Sequence, residues 1–291
     1  MVCHSADVDP PDLPTQVRPG RHYGRVQEHP LVGDGVTAGI IRLGDTVRRP
    51  LRPFSLTIQS FLAHLHGRGF HDAPRPLGID DQGREMLSFV PGQVPREPLP
   101  DAACRPEVLT ALAGLVRRLH EAAQDWAPPP GAAWGALPGR PDPGTVTLFE
   151  SAELVSHRDY CPGNVVFRQG VPAALIDFDL ARPTTRVYDI ANALYWWAPL
   201  LDPADRPAGL VDADVPARVA LFADAYGMTG TQRADLVPLA VGMIHNFHRS
   251  ARAAAEADPV FKRFWDEGVS ERMPRAEAWI QANARSVAAA L

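Results

Sequence analysis

His157-Arg158-Asp159-Tyr160-Cys161-Pro162-Gly163-Asn164, followed by Ile176-Asp177-Phe178-Asp179, sets a carboxylate, an amide and a further carboxylate in one short stretch. That order suits metal-assisted transfer of a phosphoryl group, in which a protein works by positioning and charge neutralisation rather than by covalent chemistry of its own. Asp159 could accept the proton of an acceptor hydroxyl, or orient that hydroxyl. Asn164, five residues later, could turn back toward a magnesium ion, and Asp177 could bridge the same ion to the terminal phosphates. Magnesium takes oxygen ligands and keeps several waters, so one carboxylate and one amide oxygen suffice.

The surrounding pattern predicts how these groups are held. Val165-Val166-Phe167, the turn Arg168-Gln169-Gly170 and the run Ala173-Ala174-Leu175-Ile176 read as a β-hairpin with the polar groups at its open ends. Upstream, two short β-type runs between Leu31 and Leu43 are interrupted by Gly33, Gly35 and Gly39, and Gly33 and Gly35 could bring backbone N–H groups close to phosphates or simply turn the chain. Gly44-Asp45 turns into a strand from Thr46 to Arg49. Ser55 to His66 reads as a helix with Ser55 as N-cap. Strands follow at Pro74–Ile79 and Glu85–Val90, and Pro91-Gly92 marks a crossing into a second unit. Glu107 to Ala123 is a helix with one apolar face. Residues 127–145, rich in Pro and Gly, form an irregular excursion, and residues 215–226, 232–257 and 274–290 read as helices.

The first segment fits the pattern H-R-D-L-x-x-x-N with Tyr160 in the Leu place, and the second stands where D-F-G would, with Asp179 instead of Gly. Together with Phe89-Val90-Pro91-Gly92, Leu115-Val116-Arg117-Arg118-Leu119-His120 and Arg186-Val187-Tyr188-Asp189-Ile190-Ala191, they resemble the aminoglycoside phosphotransferase family over about residues 23 to 200. The resemblance implies an α+β, two-lobed protein-kinase-like fold: a flexible tail over 1–22, an N-terminal nucleotide-binding lobe of antiparallel sheet plus helix over 23–91, and a larger, mainly helical catalytic and substrate-binding lobe over 92–291. It implies ATP or GTP with Mg2+, a small-molecule hydroxyl acceptor, and base contacts at Ser88, Phe89 and Val90. The family's strand lysine is missing. Arg48 is the favoured substitute and Arg49 is close behind, since a strand shows only one of two neighbours to the nucleotide; otherwise both are surface charges. No glutamate stands on the following helix, where Gln59 is the nearest polar residue, so the usual lysine–glutamate ion pair is expected to be absent. Asp189 is expected either to suit its helix dipole or to brace the catalytic loop, and His120 to be structural.

Composition excludes several classes. Net charge is −5, from 34 acids against 29 Lys and Arg, which argues against bulk nucleic-acid binding. Cys3, Cys104 and Cys161 follow no zinc or disulfide spacing. Cys161 reads as a small loop filler or a target for thiol reagents. No secretory pattern and no apolar run of about 20 residues is found, so no membrane partner and a cytoplasmic location are expected. The oligomeric state is not encoded in any motif. A non-catalytic nucleotide-binding pseudokinase is the alternative reading, motivated by the missing lysine and glutamate. A protein kinase is disfavoured, because no A-P-E element follows Asp177.

Overall fold

The computed structural model describes residues 28–31, 38–96 and 99–291; Gly33, Gly35 and the 1–22 segment lie outside them. β1 (Glu28–Pro30), β2 (Ile41–Leu43), β3 (Thr46–Pro50), β4 (Pro76–Ile79) and β5 (Arg84–Ser88) form one antiparallel sheet, ordered β1-β2-β3-β5-β4. The β3–β5 register sets Arg49 opposite Glu85 and Arg48 opposite Met86. Facing residues across a ladder share a sheet face, so Arg49 and Glu85 project together. α1 (Ser55–Gly67) packs on that lobe through Ile58, Phe61, Leu62 and Leu65, all buried.

The helix begins differently from expectation. Phe54 holds the N-cap place, and Ser55 is the first helical residue. Its hydroxyl donates to Glu85 Oε2 at 3.2 Å and accepts from the Arg52 N–H at 3.0 Å. A buried carboxylate needs donors, and that need outweighs the modest gain of capping.

The chain leaves the sheet lobe at Pro91-Gly92. Gln93 and Phe167 then exchange both backbone N–H···O bonds, at 2.9 and 2.7 Å, which stitches the crossing to the catalytic hairpin. Gly92 has φ 148°, and a Cβ there would press on the Phe167 carbonyl oxygen at 2.7 Å, so glycine alone fits.

The second lobe is mostly helical: α2 (Pro106–Ala123), α3 (Arg186–Trp197), α4 (Val215–Tyr226), α5 (Gly230–Ala257), α6 (Pro259–Phe264) and α7 (Ser270–Ala289). Leu109, Leu112, Val116 and Leu119 line the buried face of α2. Tyr195 and Trp197 fill the core, and Trp196 is half-buried. Two ribbons carry the catalytic segments. β6 (Leu154–Ser156) pairs β9 (Arg182–Thr184), and β7 (Val165–Arg168) pairs β8 (Val171–Leu175). The β7–β8 turn has φ 53° at Gln169 and 80° at Gly170, the two positive values of a type I′ hairpin. A small antiparallel sheet with one helix and a larger helical lobe is the two-lobed, kinase-like α+β fold the motifs implied. Among the described residues no helix is long and apolar enough to cross a membrane.

Candidate active site

The catalytic loop runs from β6 to β7. Two residues of the site take the left-handed backbone region without being glycine: Arg158 (φ 64°) in this loop, and Asp177 (φ 61°) beyond β8. Such conformations cost about 1–3 kcal/mol each and persist where surrounding contacts impose them. The Arg158 guanidinium is held 4.0 Å over the Tyr188 ring. His157 is buried, and its Nε2 lies 2.9 Å from the Ile176 carbonyl oxygen, which can only accept. Nε2 is therefore the protonated nitrogen, and Nδ1 accepts the Asp159 N–H at 3.3 Å. Burial pulls the His157 pKa down, consistent with this neutral tautomer. One imidazole thus ties the catalytic loop to the strand end that delivers Asp177.

Asn164 completes the join. Its Nδ2 donates to Asp159 Oδ2 at 2.8 Å and to the Asp159 carbonyl at 3.1 Å, while its carbonyl accepts from the Ile176 N–H at 3.0 Å. With the amide nitrogen so engaged, Oδ1 is the atom left for a cation. Burial, then Asp177, pushes the Asp159 pKa up against the pull of His157 and of hydrogen bonds from Cys161. Cys161 therefore touches the carboxylate as well as filling the loop.

Beneath the loop lies a buried polar network. Asp189 Oδ2 accepts from the Tyr160 hydroxyl at 2.6 Å and pairs with His120 Nε2 at 3.2 Å, and His120 Nδ1 meets the Tyr226 hydroxyl at 2.8 Å. Asn192 Oδ1 accepts the Tyr160 N–H at 2.8 Å, and the Trp197 indole donates to the Tyr160 carbonyl at 2.7 Å. Tyr160, in the place of the pattern's leucine, is thus gripped by α3 from both ends. Of the two readings of Asp189, bracing the loop is the one the hydrogen bonds bear out, and His120 is structural. Burial alone would raise the Asp189 pKa, but its hydrogen bonds with His120, Ser156 and Tyr160 outweigh it and hold the carboxyl below its ordinary range.

The arginines separate as a strand requires. Arg48, the favoured lysine substitute, lies with Nε 3.4 Å from Asp80 in the β4–β5 turn. Arg49 instead points at the acidic loop: Nη1 is 2.7 Å from Asp179 Oδ1 and 3.6 Å from Asp177 Oδ1. Its Nε donates to Glu85 Oε2 at 2.6 Å. The expected absence of a partner acid is therefore corrected. The acid comes from β5 rather than from α1, whose Gln59 donates to Glu85 Oε1 at 3.2 Å. A period-2 reading of β5, with Glu85 and Leu87 both turned inward, was the available signal. Burial pulls the Arg49 pKa down, but Asp179, Glu85 and Asp177 together hold it above its ordinary value.

At the edge of the sheet, the Ser88 N–H donates to the Arg75 carbonyl at 2.9 Å and the Phe89 N–H to the Asp45 carbonyl at 2.8 Å. Both N–H groups are engaged within the lobe, so a base contact at Ser88 or Phe89 would have to use another backbone atom.

The excursion after α2 closes over the acidic loop. The Ala133 N–H donates to Thr57 Oγ1 of α1 at 3.1 Å, and the Arg182 guanidinium donates to the Gly135 carbonyl. A Cβ at Gly135 would collide with the Asp179 carbonyl. Farther on, the Asn246 side chain exchanges hydrogen bonds with both backbone groups of Val146, at 2.9 Å each, which fastens the segment to α5.

Among the described residues no three His, Cys, Asp or Glu side chains gather as a metal cage. The donor set fits instead a magnesium ion that arrives with phosphates: Asn164 Oδ1, the half-exposed Asp177, and Asp179 beside it. Burial first, then the neighbouring Asp177, lifts Asp179 to about 6 despite Arg49. A divalent cation would relieve that repulsion. The folded protein consequently holds a proton on Asp179 between about pH 4 and 6 that the unfolded chain, with a carboxyl near 3.9, does not. This contribution to stability is absent at neutral pH and grows as the pH falls through that window. The stability advantage of Asp179→Asn over wild type should therefore shrink between pH 7 and 4.5, measured by urea denaturation at each pH. A constant difference would exclude the raised carboxyl.

The chain is similar to several known proteins. The model of the family described as "Phosphotransferase enzyme family" matches residues 131–222, which include the loop from His157 to Asn164 and the acids Asp177, Asp179 and Asp189. The trifolitoxin immunity protein of Rhizobium leguminosarum bv. trifolii is 32% identical over 273 residues, covering 90% of this chain and 97% of that protein. The homoserine kinase of Phenylobacterium zucineum is 33% identical over 183 residues, 52% of this chain and 54% of that one. Among solved structures, a choline/ethanolamine kinase family protein from Mesorhizobium loti superposes with a TM-score of 0.53 at 13% identity, covering 91% of this chain and 89% of that one. The GDP complex of aminoglycoside 2'-phosphotransferase-IIIa gives 0.50 at 12% identity, covering 91% and 95%. At such low identity the last two speak for the fold. The chain belongs to the phosphotransferase enzyme family.

Proposed function

We propose that this protein transfers the terminal phosphoryl group of ATP or GTP, bound with Mg2+, to a hydroxyl of a small molecule. The observation that carries the reading is the convergence of Asp159, Asn164, Asp177 and Asp179 at the open end of one hairpin, faced by the single guanidinium of Arg49. Asn164 Oδ1, Asp177 and Asp179 hold the magnesium ion, which when bound neutralises charge on the phosphates. Asp159 aligns the acceptor hydroxyl and takes its proton as the new bond forms. Its raised pKa makes it a better base than an ordinary carboxylate. Arg49 steadies the phosphates, and Val90 ends the sheet where the nucleobase edge is met. The lobes divide at Pro91-Gly92, with residues 23–91 on the nucleotide side and 92–291 supplying catalysis and the acceptor site.

The relatives support one acceptor class. Homoserine and choline or ethanolamine are amino alcohols, and aminoglycosides are polyols bearing amines, so an amine-bearing alcohol is the first class to try. The relative matched along almost its whole length is named for immunity to trifolitoxin, which supports a protective role in which the phosphorylated molecule is a toxin or antibiotic. Purified protein with γ-labelled ATP and GTP, offered amino alcohols, aminoglycosides and peptide toxins bearing hydroxyls, separates these readings. Label moved to any acceptor establishes transfer. Nucleotide binding with neither transfer nor nucleotide consumption across the panel would favour the pseudokinase alternative.

A further inference from the structure

Glu85 is fully buried, yet three groups converge on its carboxylate: Arg49 Nε at 2.6 Å, Ser55 Oγ at 3.2 Å and Gln59 Nε2 at 3.2 Å. Four residues from β3, β5 and α1 joined in this way, Glu85 and its three partners, would be an expensive way to fill a core position, since a buried charge must be matched by hydrogen bonds and opposite charge. The arrangement is economical if the Arg49 fork is what must be held. An arginine can give Nε to one acid and leave its terminal nitrogens for another ligand, because the guanidinium is planar and presents donors in several directions. Here Nε goes to Glu85, and Nη1 reaches the acidic loop at 2.7 Å from Asp179. A lysine would have to serve both from one nitrogen, whereas the arginine fork divides the two tasks between separate nitrogens.

We propose that Glu85 is the positioning residue of the phosphate-binding arm: an arginine–glutamate pair formed within the sheet, across neighbouring strands, aims Arg49 Nη1 at the phosphates and leaves Gln59 of α1 as a secondary clamp. This rests on the phosphotransfer reading above. It also explains how the lobe dispenses with a helix acid. The β3–β5 register places Glu85 directly opposite Arg49, so the pair is set by strand pairing and not by the position of α1. Asp177 and Asp179 both contact the guanidinium. With Mg-nucleotide, the guanidinium would serve the phosphates and the two carboxylates would hold the metal.

The test uses the full chain and titrates Mg-ATP, Mg-GTP and the phosphate-free nucleosides adenosine and guanosine by calorimetry. Wild type should bind at least one Mg-triphosphate. Glu85→Gln keeps shape and volume but loses the charge, and should weaken Mg-triphosphate binding about ten-fold while leaving nucleoside binding unchanged, the size expected for a misaimed charge-assisted contact. The exchange Gln59→Glu with Glu85→Gln returns a carboxylate to within reach of Arg49 from the helix side, and should recover most of that loss. It also decides the matter if Glu85→Gln alone does not fold. Unchanged triphosphate binding in Glu85→Gln, equal losses for triphosphate and nucleoside, or an exchange variant that recovers nothing overturns the proposal while leaving the phosphotransfer reading standing. A wild type that binds no Mg-nucleotide overturns both.

Discussion

Asp159→Asn should lower kcat by roughly 10²- to 10⁴-fold, the contribution of a positioned general base, while Mg-nucleotide still binds. The asparagine variant is the cleaner one. Asn164 Nδ2 donates to Asp159 Oδ2 at 2.8 Å, and an amide oxygen can go on accepting that bond, so the metal-facing side of Asn164 stays in place. Asp159→Ala removes the acceptor, frees the Asn164 amide to turn, and should add a rise in the magnesium requirement to the same fall in kcat. The Asp159 backbone N–H also donates to the His157 ring, so backbone placement survives either substitution. Because burial raises the Asp159 pKa, the acidic limb of the kcat/KM profile should lie above the ordinary carboxylate range in wild type and disappear in the variants. Near-normal turnover in Asp159→Asn would remove this carboxylate from the mechanism.

Asp189→Ala should be the most destabilising single change near the site, at about 3–5 kcal/mol, the range for removing one partner of a buried ionic network. The buried Tyr160 hydroxyl and His120 Nε2 would both lose this acceptor, each orphaned donor costing roughly 1–3 kcal/mol. Asp189 itself is fully buried on α3, and Tyr160 next to Asp159 is fully buried too, so the damage passes directly into the catalytic loop. The depressed Asp189 pKa gives the effect a pH signature. A carboxyl that loses its proton more readily when folded stabilises the native state above its unfolded pKa, and that support is lost as the pH falls through the folded value. Wild type should accordingly lose this increment in acid, whereas Asp189→Ala should not have it to lose. Urea denaturation at neutral pH tests the magnitude, and a loss under about 1 kcal/mol, the worth of a single ordinary hydrogen bond, would mean that Asp189 does not brace the loop.

The catalytic loop was legible because its chemistry is local. Asp159 and Asn164 stand five residues apart, and the hairpin that brings Asp177 beside them closes through one short turn at Gln169-Gly170. Strand alternation, turn residues and a polar motif are properties of neighbouring positions, and they were enough for β7 and β8, while the two-lobed order of sheet and helices came from the family resemblance those motifs carry. The arginine was not legible in the same way. Alternation says that only one of Arg48 and Arg49 faces inward but not which, and the decision came from pairing with β5, thirty-six positions away. Ser55 shows the same limit: its type and place suit an N-cap, yet a buried acid on another strand takes its hydroxyl. The N–H groups of Ser88 and Phe89 were likewise taken up by Arg75 and Asp45, partners that only the folded sheet supplies.

By itself, then, the order of residues determined which groups are the candidates for the chemistry and which short elements carry them, because hydrogen-bonding capacity, turn preference and periodicity act over a few residues. Tertiary structure alone decided which arginine meets the acidic loop, that Glu85 is its counter-charge, and that Asp189 and His120 grip the loop from beneath. Those choices depend on the register of strands and on burial, where a charged group takes whichever partner the fold brings within reach.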